Sequence, residues 1–250
     1  MPASGLALAA SAAVRAASLN LCTDDYLLLL AEPQQIATVS YLSRLPEESV
    51  LWRQGRSYPA NNGTLESAVI HRPSLVLTMG GGGRASGVIA ARLGIRVLDL
   101  PYPQSIDDVV LQARTVAAAL GTSNRAEELV RKLRRLRTAP AGMEDAALVG
   151  GGGMSLSPGS LGAEWLRLAG YRQRALPNGR LSYEQLATDP PKWLIRSDYR
   201  QRQASRNVRW FDHPLVRRLQ SRTLVTDGRP WTCAGLPMIA EVKRLREMRR

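Results

Sequence analysis

The residues whose types could do chemistry are two histidines, two cysteines, a glycine run ahead of an arginine, and two acids in matching surroundings. His71 and His213 are the only imidazoles. A site for bare zinc or manganese draws on several histidines and carboxylates, so this inventory argues against a naked metal ion. His71, near an expected helix C-terminus, suits a dipole partner, and His213 before Pro214 suits a helix entrance. Cys22 and Cys233 form no C-x-x-C and cannot make a zinc site by themselves. An oxidising compartment would permit a disulfide between them; two free, partly buried thiols are the alternative.

Gly80-Gly81-Gly82-Gly83-Arg84-Ala85 satisfies a degenerate G-x-G-x-x-A after an apolar run, and Asp99 ends the next such run. That is the outline of a dinucleotide fingerprint and of an NAD(P)-dependent enzyme. Two strand-like runs already precede it, however, and no acid–base partner stands out. Gly153-Met154-Ser155-Leu156-Ser157 lacks the last glycine of a nucleophile elbow. No catalytic residue is assigned.

Glu66 and Glu184 lead from these residues to the elements around them. Thr64-Leu65-Glu66, Pro73 and Leu75-Val76-Leu77 recur 118 positions later as Ser182-Tyr183-Glu184, Pro191 and Trp193-Leu194-Ile195. Each copy predicts a hydroxyl N-cap, a short helix with an acid in its first turn, a proline stop and a buried strand. A duplicated unit of this kind implies two similar lobes with a ligand held between them. Around it, Ala17 to Leu21 predicts a strand, Thr23-Asp24 a cap and helix to Ala31, and Ile36 to Ser40 a second strand. Residues 41–63 predict a long loop. Leu75 to Thr78 and Ile95 to Leu100 predict strands on either side of a helix over residues 86–93. Two helices follow, capped at Ser105 and started at Ser123, with Gly121 between them. The pattern then restarts with strand 146–149, Gly150 to Gly153, helix 163–169, helix 214–220, strand 223–226 and a last helix from Pro237. Strands alternating with helices predict an α/β fold with mainly parallel sheets.

The formal charge of +13 and pI near 10.7 come almost wholly from arginine and favour anionic partners. A basic nucleic-acid-binding protein is the reading this charge alone would support, but no helix-turn-helix, zinc or RRM signature accompanies it. Residues 1–14 are small and apolar with an Ala10-Ser11-Ala12 site, and are expected to be a signal-peptide remnant, truncated at its basic start. No later run of 18 or more apolar residues predicts a membrane span.

Ser18-Leu19-Asn20-Leu21-Cys22-Thr23-Asp24, the two Glu-to-Pro units, and Trp231-Thr232-Cys233-Ala234-Gly235-Leu236-Pro237 together resemble one family over nearly the whole chain from about residue 15. It is the helical-backbone periplasmic substrate-binding proteins of ABC importers for ferric siderophores, haem and cobalamin. The resemblance implies two Rossmann-like lobes joined by a long rigid helix: an N-terminal lobe at 15–104, connecting helices at 105–138 and a C-terminal lobe at 139–250. It implies a periplasmic monomer, not an enzyme, that captures a metal chelate (iron-siderophore, haem or cobalamin) without a cofactor of its own. It also implies an inner-membrane ABC permease as partner, docked through Glu66 and Glu184, and no nucleic acid. Flat apolar contact and a few donors are what such a ligand needs, and Tyr41, Trp52, Tyr58, Arg84, Tyr102, Tyr199 and Trp231 are the candidates. Ser74 and Lys192 stand where the family often has aspartate, and the glycine runs are unusually bare.

Overall fold

A computed structural model describes residues 14–81, 83–138, 142–199, 208–219 and 222–249. The expected signal segment lies, but for Val14, outside the described residues. The first lobe contains β1 (Ala16–Ser18), α1 (Leu21–Leu30), β2 (Ile36–Ser40), α2 (Trp52–Gly55), β3 (Ala60–Asn61), α3 (Leu65–Val69), β4 (Leu75–Met79), α4 (Gly83–Arg92) and β5 (Arg96–Leu100). Two helices, α5 (Ile106–Leu120) and α6 (Ser123–Arg137), lead out of it. The second lobe contains β6 (Glu144–Val149), α7 (Leu161–Ala169), β7 (Tyr171–Gln173), α8 (Tyr183–Thr188), β8 (Trp193–Ser197), α9 (Pro214–Arg217), β9 (Thr223–Thr226), α10 (Arg229–Cys233) and α11 (Met238–Met248).

Among the described residues, the strands named above pair only in parallel with one another, in the order β3-β2-β1-β4-β5 in one sheet and β7-β6-β8-β9 in the other. With β3 set aside, the orders superimpose: β2-β1-β4-β5 matches β7-β6-β8-β9. The duplicated sequence unit occupies matching places, since α3–β4 and α8–β8 are its two copies. In each copy the cap forms as the residues dictate. Thr64 Oγ1 accepts the Ser67 amide (3.3 Å), and Ser182 Oγ accepts the Gln185 amide (3.1 Å) while Gln185 Oε1 accepts the Ser182 amide (2.9 Å).

The structure departs from the sequence pattern at the start of α1 and in the segment after β2. The Asn20 carboxamide accepts the Thr23 amide (3.0 Å), so the first strand stops at Ser18 and α1 starts at Leu21 rather than after Thr23. The expected loop at 41–63 holds a 3₁₀ turn at Tyr41–Arg44, α2 and the two-residue β3. Runs this short carry no period to read.

The connector is a helical hairpin. Gly121 caps α5 in the left-handed region, and Arg114–Glu127 (2.7 Å) and Arg137–Asp107 pairs tie the antiparallel helices together. At 1.5 Å per residue, α6 is about 22 Å long. One apolar core runs from Leu27, Leu75 and Leu100 of the first lobe through Val109, Val116 and Leu133 to Leu148, Trp165 and Val242 of the second. Polar contacts follow the same route. Tyr26 donates to Gln112 (2.8 Å), the Ile106 amide donates to Glu164 of α7 (2.8 Å), and Arg246 of α11 donates to the Leu136 carbonyl of α6. The lobes are therefore packed onto a shared spine rather than strung on a linker.

Candidate ligand-binding cleft

In an open parallel sheet, the crevice lies beyond the strand C-termini where the chain order reverses. Here that is between β1 and β4 in one lobe and between β6 and β8 in the other. Both glycine runs fall there, one after β4 and one after β6.

The two crevices open toward the same boundary, because three ties between the lobes leave from segments just past strand C-terminal ends. Cys22, just past β1, is disulfide-bonded to Cys233 in α10, with Cα atoms 5.3 Å apart. Tyr199, just past β8, donates its hydroxyl to Glu48 Oε2 (2.6 Å) on the loop after β2. Arg229, just past β9, donates to the carbonyls of Pro46 (2.6 Å) and Ser49 (3.3 Å) on that same loop.

On the first-lobe wall, Gly80, Gly81, Asp99, Leu100 and Pro101 line a hollow of about 460 Å³. Gly80 is left-handed (φ 76°), and a Cβ on it would lie 2.4 Å from a Tyr102 ring carbon, so the tyrosine lies directly against bare backbone. Asp99 Oδ1 accepts the Gly81 amide (3.2 Å). This arrangement bears on the dinucleotide outline. Its glycines follow β4 rather than the first strand, and its acid engages one of the amides that a pyrophosphate would require.

On the second-lobe wall, Gly152, Arg180, Leu181, Ser182, Tyr183, Arg209 and Trp210 line a hollow of about 340 Å³. Gly153 repeats the Gly80 device: its φ is 76°, and a Cβ would meet the Leu181 carbonyl oxygen at 2.5 Å and the Trp210 ring at 2.9 Å. Tyr183 stacks on Trp210 (centroids 5.9 Å apart) and on His213 (3.8 Å), and Phe211 meets Trp210 edge-on (5.2 Å). Arg180 and Ser182 also border a neighbouring hollow of about 560 Å³ that reaches Glu184.

The sequence-derived candidates divide among several environments. Tyr102 joins the first wall, and Tyr41 is half-exposed at the end of β2. Tyr199 is a tie between lobes. Trp231 donates to Thr226 Oγ1 (2.8 Å) and packs against the core, as Tyr58 does. Trp52 carries Arg53 and Arg56 over its ring, each 4.6 Å from the centroid. The Arg84 side chain lies outside the described residues. Arg180, Tyr183, Arg209 and Trp210 are not among those candidates; the signal pointing to them is the second glycine run at a reversal in strand order. Glu66 and Glu184 are both exposed in the first turns of α3 and α8. Among the described residues, no cluster of three or more His, Cys, Asp or Glu side chains could hold a metal ion.

A buried polar network braces the cleft end of the first sheet. Asp24 accepts from the Ser40 amide (2.9 Å) and the Ser40 hydroxyl, and Asn61 Nδ2 donates to the Ser18 carbonyl (2.9 Å). Burial drives the Asp24 carboxyl up to about 7 against the opposing pull of its Ser40 hydrogen bonds. Burial and the Asp24 charge hold Asp25 well above the usual carboxylate range.

No family model and no curated protein matches the sequence. Solved structures match across almost the full length of both chains. The periplasmic haem-binding protein HutB of Vibrio cholerae superimposes with a TM-score of 0.71 at 16% identity, covering 95% of this chain and 99% of that one. The periplasmic vitamin B12-binding protein BtuF of the same organism gives 0.63 at 14% identity, covering 93% and 95%. An ABC-transporter substrate-binding protein of Listeria monocytogenes EGD-e gives 0.61 at 12% identity, covering 94% and 98%. The chain thus has the fold of the two-lobed periplasmic binding proteins.

Proposed function

We propose that the protein is the substrate-binding component of an ABC importer and captures a metal chelate (a ferric siderophore, haem or cobalamin) between its lobes. One observation carries the reading. Two sheets of matching strand order turn their crevices to a common boundary, and each crevice is floored by bare glycine backbone with an aromatic ring laid on it. Such a surface suits a flat, rigid guest. Proteins of this fold include a haem binder and a vitamin B12 binder, which supports a chelate as cargo. The shared core, the disulfide and the Tyr199 and Arg229 ties favour capture with little hinge movement.

Delivery would use Glu66 and Glu184. The two acids occupy equivalent positions on equivalent lobes, which suits a permease with pseudo-twofold basic pockets. Function in the periplasm as a monomer, and no enzymatic activity, complete the proposal.

Titration with haemin, ferric siderophores and cyanocobalamin, followed by tryptophan fluorescence, tests it. Saturable quenching by at least one chelate at low micromolar concentration or below is expected. Quenching by none of them overturns the reading.

A further inference from the structure

We infer that the second-lobe hollow is an anion subsite: Arg180 and Arg209 hold the acidic edge of the cargo while Tyr183 and Trp210 flank it. The inference rests on the reading above and narrows the ligand class to acid-bearing chelates.

Several arginines of this basic chain are neutralised internally. Arg114 pairs with Glu127, Arg125 with Glu32, Arg174 with Asp145 and Asp189, Arg229 with Asp227, and Arg244 with Glu241. Arg180 and Arg209 are among the arginines without such a pair, and the two border the same concavity. Both are exposed at the rim of one hollow, and neither has an ion pair or a side-chain hydrogen bond among the described residues. An anion entering the hollow would be attracted by both guanidinium groups. Guanidinium groups match carboxylates and comparable oxyanions in a planar, two-point fashion.

The opposite wall fixes the orientation. Its hollow carries Asp99, with one carboxylate oxygen engaged by the Gly81 amide. An acidic ligand edge would be repelled there and drawn to the second lobe. The same field discriminates among cargoes: a chelate without acidic groups gains nothing from the arginine pair, which then stays uncompensated. A dicarboxylate macrocycle or a ferric tris-catecholate is matched by it.

The test titrates the wild-type protein and the R180Q/R209Q and R180K/R209K variants with haemin, a ferric tris-catecholate and cyanocobalamin. Thermal melting of the unliganded proteins controls for folding. The expected result is that an acid-bearing chelate binds best. The glutamine variant should weaken it by about 10- to 100-fold, the scale of a lost charged hydrogen bond. The lysine variant should recover part of the loss, and added salt should narrow the gap. If the glutamine variant melts at a lower temperature, the lysine variant and the salt dependence decide. Chelate binding of equal strength in all three proteins, or a preference for cyanocobalamin, overturns the anion subsite while leaving the importer reading intact. No binding of any chelate by wild type removes both.

Discussion

In the first lobe, the strand ends beside the cleft carry a glycine turn, an aspartate and Tyr102. In the second they carry a glycine turn, two arginines and a stacked Tyr183–Trp210 pair. The frame beneath is the same in both, down to the unit that runs from a hydroxyl cap through a first-turn acid and a proline to a strand. What the contrast teaches is where each task lies. In the proposed reading, features shared by the lobes serve architecture and docking, whereas features that differ serve the guest. The five-stranded first lobe carries a buried polar brace at its cleft end. The four-stranded second lobe concentrates charge and aromatic surface.

The largest effect should come from breaking what the lobes share. Glu66→Arg together with Glu184→Arg is expected to abolish chelate-dependent uptake in cells while leaving the affinity of the purified protein unchanged. Uptake at the wild-type rate would remove these acids from the docking role, and reversal at one position alone should have an intermediate effect.

Next in size is the covalent tie. Cys22 and Cys233 are 211 residues apart in sequence, so Cys22→Ser with Cys233→Ser should cost about 2–4 kcal/mol in denaturant unfolding. Because the shared core remains, the variant should still fold and bind. A variant that loses the cooperative transition would mean that the core alone cannot hold the lobes together.

A smaller effect should separate the glycines. Gly153→Ala places a methyl group 2.5 Å from the Leu181 carbonyl at a left-handed backbone position and should cost on the order of 1–3 kcal/mol. Gly81→Ala, at φ 86° with open space around it, carries only the backbone cost of about 1 kcal/mol. Equal losses at the two sites would argue against Trp210 being seated on the glycine turn.

The subtlest prediction concerns pH and belongs to the first lobe alone. Asp24 keeps its proton in the fold up to about 7, whereas the ordinary value for an aspartate is 3.8. Stability from this group is fully present below the lower value and is lost as pH rises through the higher one. Wild type should therefore lose stability between about pH 4 and pH 7 in urea melts, with the raised Asp25 adding to the loss, and Asp24→Asn should reduce that slope. An unchanged slope in the variant would place the titration elsewhere.

Much of this frame was legible because its signals are local. Thr64 and Ser182 announce their helices through their own hydroxyls, Pro73 and Pro191 end them, and β4 and β8 follow as apolar runs. The two- and three-residue strands β3 and β7 escaped, since a parallel pairing that short leaves no alternation. The cleft was harder to read. Arg180 and Arg209 sit in unremarkable local sequence, and only the fold brings them to the rim of one hollow with Trp210. Trp231 and Tyr58, attractive by residue type, pack against the core instead. Aromatic identity marks a residue able to bind, while its neighbours in space decide whether it is free to.

Amide hydrogen exchange with and without a chelate that quenches tryptophan fluorescence tests the central claim most directly. Protection should appear together in the segments around Gly80–Gly81 and Asp99–Tyr102 of one lobe and around Gly152, Arg180–Tyr183 and Arg209–Trp210 of the other. Protection confined to one lobe, or spread over surfaces away from both glycine turns, would contradict a guest held between the two walls.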